Sequence, residues 1–152
     1  MWPGIFRDEA SRVVGFGGLA IPPMDHRFQA EGGKPIYAWC ALDPFLIVPV
    51  IGRTARVESK DPVTGEAIAM TVTPDGVSDL SLASVVSFLV PDKPFDQDVI
   101  QSFYHFVHFF ASRKSAERWA VGRDGIALLP VDDAFEVGRR AWRMFREPVR
   151  ES

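Results

Sequence analysis

A chain of 152 residues, 47% hydrophobic and 24% charged, carries enough apolar material for one core, so a single domain over residues 1–152 is expected. The formal net charge of −3 argues against a nucleic-acid partner, and one cysteine, Cys40, excludes an intramolecular disulfide and fits a reducing cytoplasm. No basic start leads into an apolar run at the N-terminus, and the longest apolar stretch, PFLIVPVIG, falls well short of the ~20 residues of a membrane span.

In chain order, RVVGFGGLAI reads as a strand kinked by glycine. GFGG superficially suggests a phosphate cradle, but a dinucleotide fingerprint would open a helix, and here Ile21, Pro22 and Pro23 follow. The Pro- and Gly-punctuated connection after it holds a short strand at HRFQA. IYAWCALDPFLIVPVIG is apolar and must be largely buried, while Pro44 and Pro49, each lacking a backbone donor, argue against one continuous helix. RTARVES and AIAMTVTP alternate with period two around the turn signals of KDPVTGE, which predicts a hairpin. ASVVSFLVP is a further strand, and FDQDVIQSFYHFVHFFAS reads as a short helix passing into a strand near Phe103. SAERWAVGRDG predicts a helix with Ser115 as N-cap and a glycine stop, then a strand at IALLPV. DDAFEVGRRAWRMFRE places its apolar residues at helical spacing, with the arginine stripe from Arg139 to Arg150 as a solvated face. The fold class is α+β, with a mostly antiparallel sheet, helices packed on it and the helices gathered late in the chain.

The lone thiol is followed three residues later by Asp43. Residues at that spacing share one face of a helical turn but point to opposite faces of a strand, so a turn or helix is expected across CALD, with Pro44 just outside it or in a break. By residue type alone, Cys40 reads as a small buried hydrophobe and Asp43 as a cap or turn former. A reactive pair is the competing reading, with Arg53 or a helix N-terminus as the means of lowering the thiol pKa.

YAWCALD, then IGRTARV, SFYHFVHFFAS and AERWA, in that order and with nearly the same spacing, resemble the catalytic core of the alkylmercury lyases, from about Val13 to about Phe145. The family usually carries a helical N-terminal domain ahead of this core, and here a dozen residues precede it. The family also has two cysteines directly after the Ser-Phe of the later motif, where this chain has Tyr104 and His105. A further family cysteine falls near Asp61.

The resemblance implies an alkylmercury lyase-like fold and a lyase reaction, protonolysis of a carbon–mercury bond in a small organomercurial substrate. Thiolates are soft mercury ligands, and a neighbouring carboxyl can protonate the departing carbon as the bond breaks. It makes Cys40 the metal-binding thiolate and Asp43 the proton relay, with Tyr104 and His105 completing the catalytic pocket and Cys40, Asp43 and His105 the candidate metal ligands. No cofactor is required, although a soft metal ion, mercury or copper, is an expected occupant. Residue by residue, Tyr104 takes the place of the second catalytic thiol, and a phenol is a poor ligand for mercury. His108 occupies a family histidine position and reads mainly as a hydrogen-bonded core residue. An external thiol, His105 or Tyr104 would then serve the second step. Two alternatives stay open: an enzyme of the same fold acting on a non-mercurial substrate through Cys40 and Asp43, and a non-catalytic binder of a soft metal or small ligand.

Overall fold

The period-two alternation of ARVESK and AIAMTVT becomes a hairpin of strands β6 (Ala55–Lys60) and β7 (Ala67–Thr73), which bury Val57, Ile68, Met70 and Val72 on one face. The computed structural model describes residues 5–16, 18–90 and 105–146, with side chains as far as Ala141. Around that hairpin lie β1 (Phe6–Arg7), β2 (Val13–Phe16), β3 (Leu19–Ala20), β4 (His26–Ala30), β5 (Ile36–Ala38) and β8 (Gly76–Ser78). They form one sheet in the order β1-β2-β3-β5-β4-β6-β7-β8. A second sheet, β10-β9-β11, is built from β9 (Val85–Leu89), β10 (Phe109–Phe110) and β11 (Ile126–Pro130). Every pairing between described strands is antiparallel. The α+β expectation holds.

RVVGFGGLAI is two strands, not one. Phe16 pairs with Leu19 and Gly15 with Ala20, so the chain reverses between Phe16 and Leu19, and Gly-Gly in the sequence is a hairpin signal in its own right. The short strands β1 and β8 lack a sequence signature long enough to predict.

Helix α1 (Asp43–Ile51) is apolar on every side after Asp43 and buried as far as Val48, with Val50 and Ile51 exposed at its end. Against expectation, Pro44 lies inside its first turn, where no backbone donor is needed. Pro49 sits in the last turn, and the helix then closes on Gly52, whose N–H reaches the Val48 carbonyl at 3.0 Å. Pro44 costs no helical bond, while Pro49 forgoes the one its N–H would make to the Phe45 carbonyl, so one helix forms despite a loss near its end. It also places a helix in the first half of the chain.

Helix α2 (Arg113–Ala120) is capped by Ser112, whose side chain accepts from the Ser115 N–H at 3.1 Å. The predicted cap, Ser115, is instead in the first turn, because its hydroxyl is taken by Asp61 Oδ2 at 2.5 Å. Asp61 is buried and also accepts from the Val63, Thr64 and Ala111 N–H groups. Burial alone would raise its pKa, but these donors outweigh it and hold the carboxyl below its usual value. The aspartate thus ties the β6–β7 turn to α2.

Helix α3 (Val131–Arg146) packs against α1, with Ala134, Phe135 and Gly138 turned inward. On its outer side Glu136 pairs with Arg139 and Arg140, which accounts for the start of the arginine stripe. Among the described residues no helix is long and apolar enough to cross a membrane.

Candidate active site

Strand β5 delivers the chain to Trp39, and a tight turn over Cys40, Ala41 and Leu42 leads into α1. The turn is closed by the Asp43 N–H on the Cys40 carbonyl at 3.3 Å. In return Asp43 Oδ2 accepts the Cys40 N–H at 2.8 Å, folding the carboxyl back out of the helix toward the thiol. The expected turn across CALD is present, and the two side chains are hydrogen-bonding neighbours.

Both groups are withdrawn from water: Cys40 is 1% exposed and Asp43 2%. Burial pushes the Asp43 carboxyl up to about 7, against smaller opposing effects of the Cys40 N–H and thiol. The thiol is pushed well above its usual range, first by burial and then by the charge of Asp43. The expected lowering by Arg53 does not occur, since Arg53 is exposed and burial prevails over the nearby helix N-terminus. At rest the pair therefore holds a neutral thiol beside a carboxyl that exchanges its proton near neutrality.

The described part of the SFYHFVHFFAS motif, from His105 onward, reaches this turn at Val107, whose carbonyl accepts the Ala41 N–H at 3.4 Å. Tyr104 lies outside the described residues. His105 is exposed on a helical turn, and the strand expected near Phe103 begins only at Phe109 among the described residues. Among the described residues no three His, Cys, Asp or Glu side chains gather to hold a metal ion, so Cys40, Asp43 and His105 are not a preformed ligand set. The reason is local: His105 faces solvent, whereas the other two are enclosed. His108 is half-buried, with Nε2 at 2.7 Å from the His105 carbonyl and its ring edge-on to Trp119.

Two further residues belong to no motif of the site. Gly18 lies so close to Asp43 that a Cβ there would stand 2.5 Å from Oδ1. His26 is buried, with Nδ1 at 2.7 Å from Ser59 Oγ and its ring edge-on to Phe109, which in turn stacks edge-on with Phe45 of α1. Its pKa falls to about 4, mainly through burial and then through His108. The strand pattern of HRFQA marks His26 as inward-facing, but not its partners.

Residues 19–143 match the family model described as alkylmercury lyase. The chain is 40% identical to an alkylmercury lyase of Staphylococcus epidermidis over 146 residues, covering 95% of this chain and 66% of that protein. It is 41% identical to one of Pseudomonas putida over 137 residues, covering 90% of this chain and 63% of that protein. The chain thus spans a little under two thirds of the length of the curated relatives it matches. Among solved structures, the mercury-bound form of MerB2 superposes with a TM-score of 0.76 at 24% identity, covering 91% of this chain and 68% of that one. At that identity the likeness speaks for the fold alone.

Proposed function

Because the chain belongs to the alkylmercury lyase family, we propose that it breaks carbon–mercury bonds by protonolysis, with Cys40 as the mercury-binding thiol and Asp43 as the proton relay. The observation that carries this reading is the carboxyl of Asp43, enclosed beside the thiol and raised to about 7. A group with that pKa accepts and releases a proton with little penalty near neutral pH, as a relay must.

The balanced step is R–Hg⁺ plus Cys40–SH giving R–H plus Cys40–S–Hg⁺. Mercury bonds to the sulfur, the thiol proton passes to the Asp43 carboxylate, and the carboxyl returns it to the carbon as the carbon–mercury bond breaks. Mercury binding also resolves the raised thiol pKa, because the soft cation displaces the proton that burial retains. Mercury is substrate and product here, not a resident cofactor. An external thiol supplies the second sulfur that the family takes from the position of Tyr104, and carries mercury away. A buried proton donor fits bond cleavage better than simple metal retention, which needs ligands and no acid.

Purified protein incubated with phenylmercuric acetate and excess cysteine is expected to release benzene. Cys40→Ala and Asp43→Asn are each expected to lower the rate by on the order of a hundredfold or more. Wild-type benzene no higher than in the protein-free control would overturn the reading.

A further inference from the structure

The Asp43 carboxyl is held from two directions. Its own chain keeps Oδ2 on the Cys40 N–H, and across from it stands the connection between β2 and β3. Gly18 in that connection is buried, and its carbonyl accepts the Trp39 N–H at 2.9 Å, which fixes it against the residue next to Cys40. Its φ is +86°, and a Cβ would meet Asp43 at 2.5 Å from Oδ1 and 2.7 Å from Cγ. Backbone strain alone does not explain a glycine that touches a carboxyl. Gly32 has φ +71° with nothing within 4 Å of a Cβ, so an alanine there meets the strain without the contact.

We propose that Gly18 is a positioning residue for Asp43: with only a hydrogen in place of a side chain, the hairpin connection seats directly on the carboxyl and holds it toward the Cys40 sulfur. The assignment rests on Asp43 being the proton relay. Its geometry is that of a two-sided clamp. Oδ2 is aimed by the Cys40 N–H, while Oδ1 is stopped by the Gly18 backbone. A methyl group at position 18 must push either the hairpin or the carboxyl away, because 2.5 Å is well inside van der Waals contact. In the closed fold the carboxyl can yield by turning about one side-chain bond, whereas displacing the hairpin breaks the bond from the Trp39 N–H to the Gly18 carbonyl. Mercury itself bonds only to the sulfur, so the damage falls on the proton transfers that pass through the carboxyl.

The test compares Gly18→Ala with Gly32→Ala on phenylmercuric acetate. Gly18→Ala is expected to lower kcat roughly tenfold or more, with KM within about threefold of wild type, as for a misplaced reacting group. Gly32→Ala is expected to leave both constants near wild type. In the Asp43→Asn background, Gly18→Ala is expected to change the residual rate by less than about twofold, because its effect runs through the carboxyl. Equal kinetics for the two alanine variants, or an undiminished Gly18→Ala effect in the Asp43→Asn background, overturns the proposal.

A second cycle reads thermal stability and needs no substrate. Gly18→Ala is expected to lower Tm well below that of Gly32→Ala, and this excess should disappear in the Asp43→Ala background, where the obstructing carboxyl is gone. If Gly18→Ala alone does not fold, recovery of folding in the Gly18→Ala/Asp43→Ala double variant supports the contact, and failure to recover overturns it. Wild type that releases no benzene rejects the lyase reading instead, and the stability cycle then decides the Gly18–Asp43 contact by itself.

Discussion

Burial drives two titrating groups in opposite directions within this core: it raises Asp43 to about 7 and lowers His26 to about 4. The folded chain keeps the Asp43 proton between the ordinary value of 3.8 and about 7, where the unfolded chain releases it, so this group favours folding less as pH rises through that window. His26 acts in the reverse sense: below 6.5 the unfolded imidazole takes a proton that the folded one refuses until about pH 4, so its contribution is lost as pH falls. At about 1.4 kcal/mol per unit, the Asp43 shift amounts to roughly 4 kcal/mol and the His26 shift to roughly 3. The two nearly offset between pH 4 and 6.5. In Asp43→Asn only the histidine slope remains, and stability should climb from pH 4 to 6.5 more steeply than in wild type, by on the order of 3 kcal/mol. Urea denaturation at both pH values measures this, and parallel profiles for the two proteins would show that folding does not raise the Asp43 pKa. The spacing of Cys40 and Asp43 made their meeting legible in advance. The burial that sets both pKa values was not, because it comes from chain segments distant in sequence.

Helix α1 carries the acid on its first turn, so whatever seats the helix also seats the chemistry. Its contact with α3 is made at Gly138, where a Cβ would lie 2.6 Å from Phe45 Cβ and 3.0 Å from the Phe45 carbonyl carbon. Gly138→Ala sets two effects against each other. Alanine favours a helix by about 1 kcal/mol over glycine, whereas overpacking a tight helix contact costs about 1–3 kcal/mol. The obstacle here includes backbone, which cannot rotate away, so the clash should prevail with a net loss of roughly 1–2 kcal/mol. Phe45 is two residues from Asp43, and the rate of benzene release should fall along with Tm. An unchanged or higher melting temperature would mean that α3 slides without disturbing α1. Helix α3 was legible from its apolar spacing, as were the β6–β7 hairpin and β11. α1 was obscured by its prolines, since a buried helix shows no apolar and polar faces to offset them. The cap of α2 was misplaced because two serines three residues apart compete for the role, and the winner is decided by Asp61, far away in sequence.

Over the whole molecule the large sheet is unevenly secured, and the order of its strands, with β5 between β3 and β4, could not be read from local pattern because it depends on long-range pairing. Strands β6 and β7 share six residue pairs, whereas among the described residues the strand pairs that join β1, β2 and β3 to the rest of the sheet are Leu19–Ala38 and Ala20–Tyr37. That N-terminal arm lies over the reactive segment: the Phe6 ring sits edge-on to Trp39 at 5.0 Å, and the Gly18 carbonyl holds the Trp39 N–H. Its other side exposes Val13 and Phe16, so little apolar burial opposes its release. A substrate must reach a sulfur that is 1% exposed, and the least secured cover is the one expected to open. In native-state hydrogen exchange the amides of Ile21 and Trp39, bonded to Val14 and Gly18, should therefore exchange well before those of Val57 and Met70 in the central hairpin. Labelling of Cys40 by a disulfide reagent should follow the arm, with a rate that rises only shallowly with denaturant because little surface is uncovered. If Cys40 labelling and Met70 exchange show the same steep denaturant dependence, the thiol is reached only through global unfolding and the arm is no route to it.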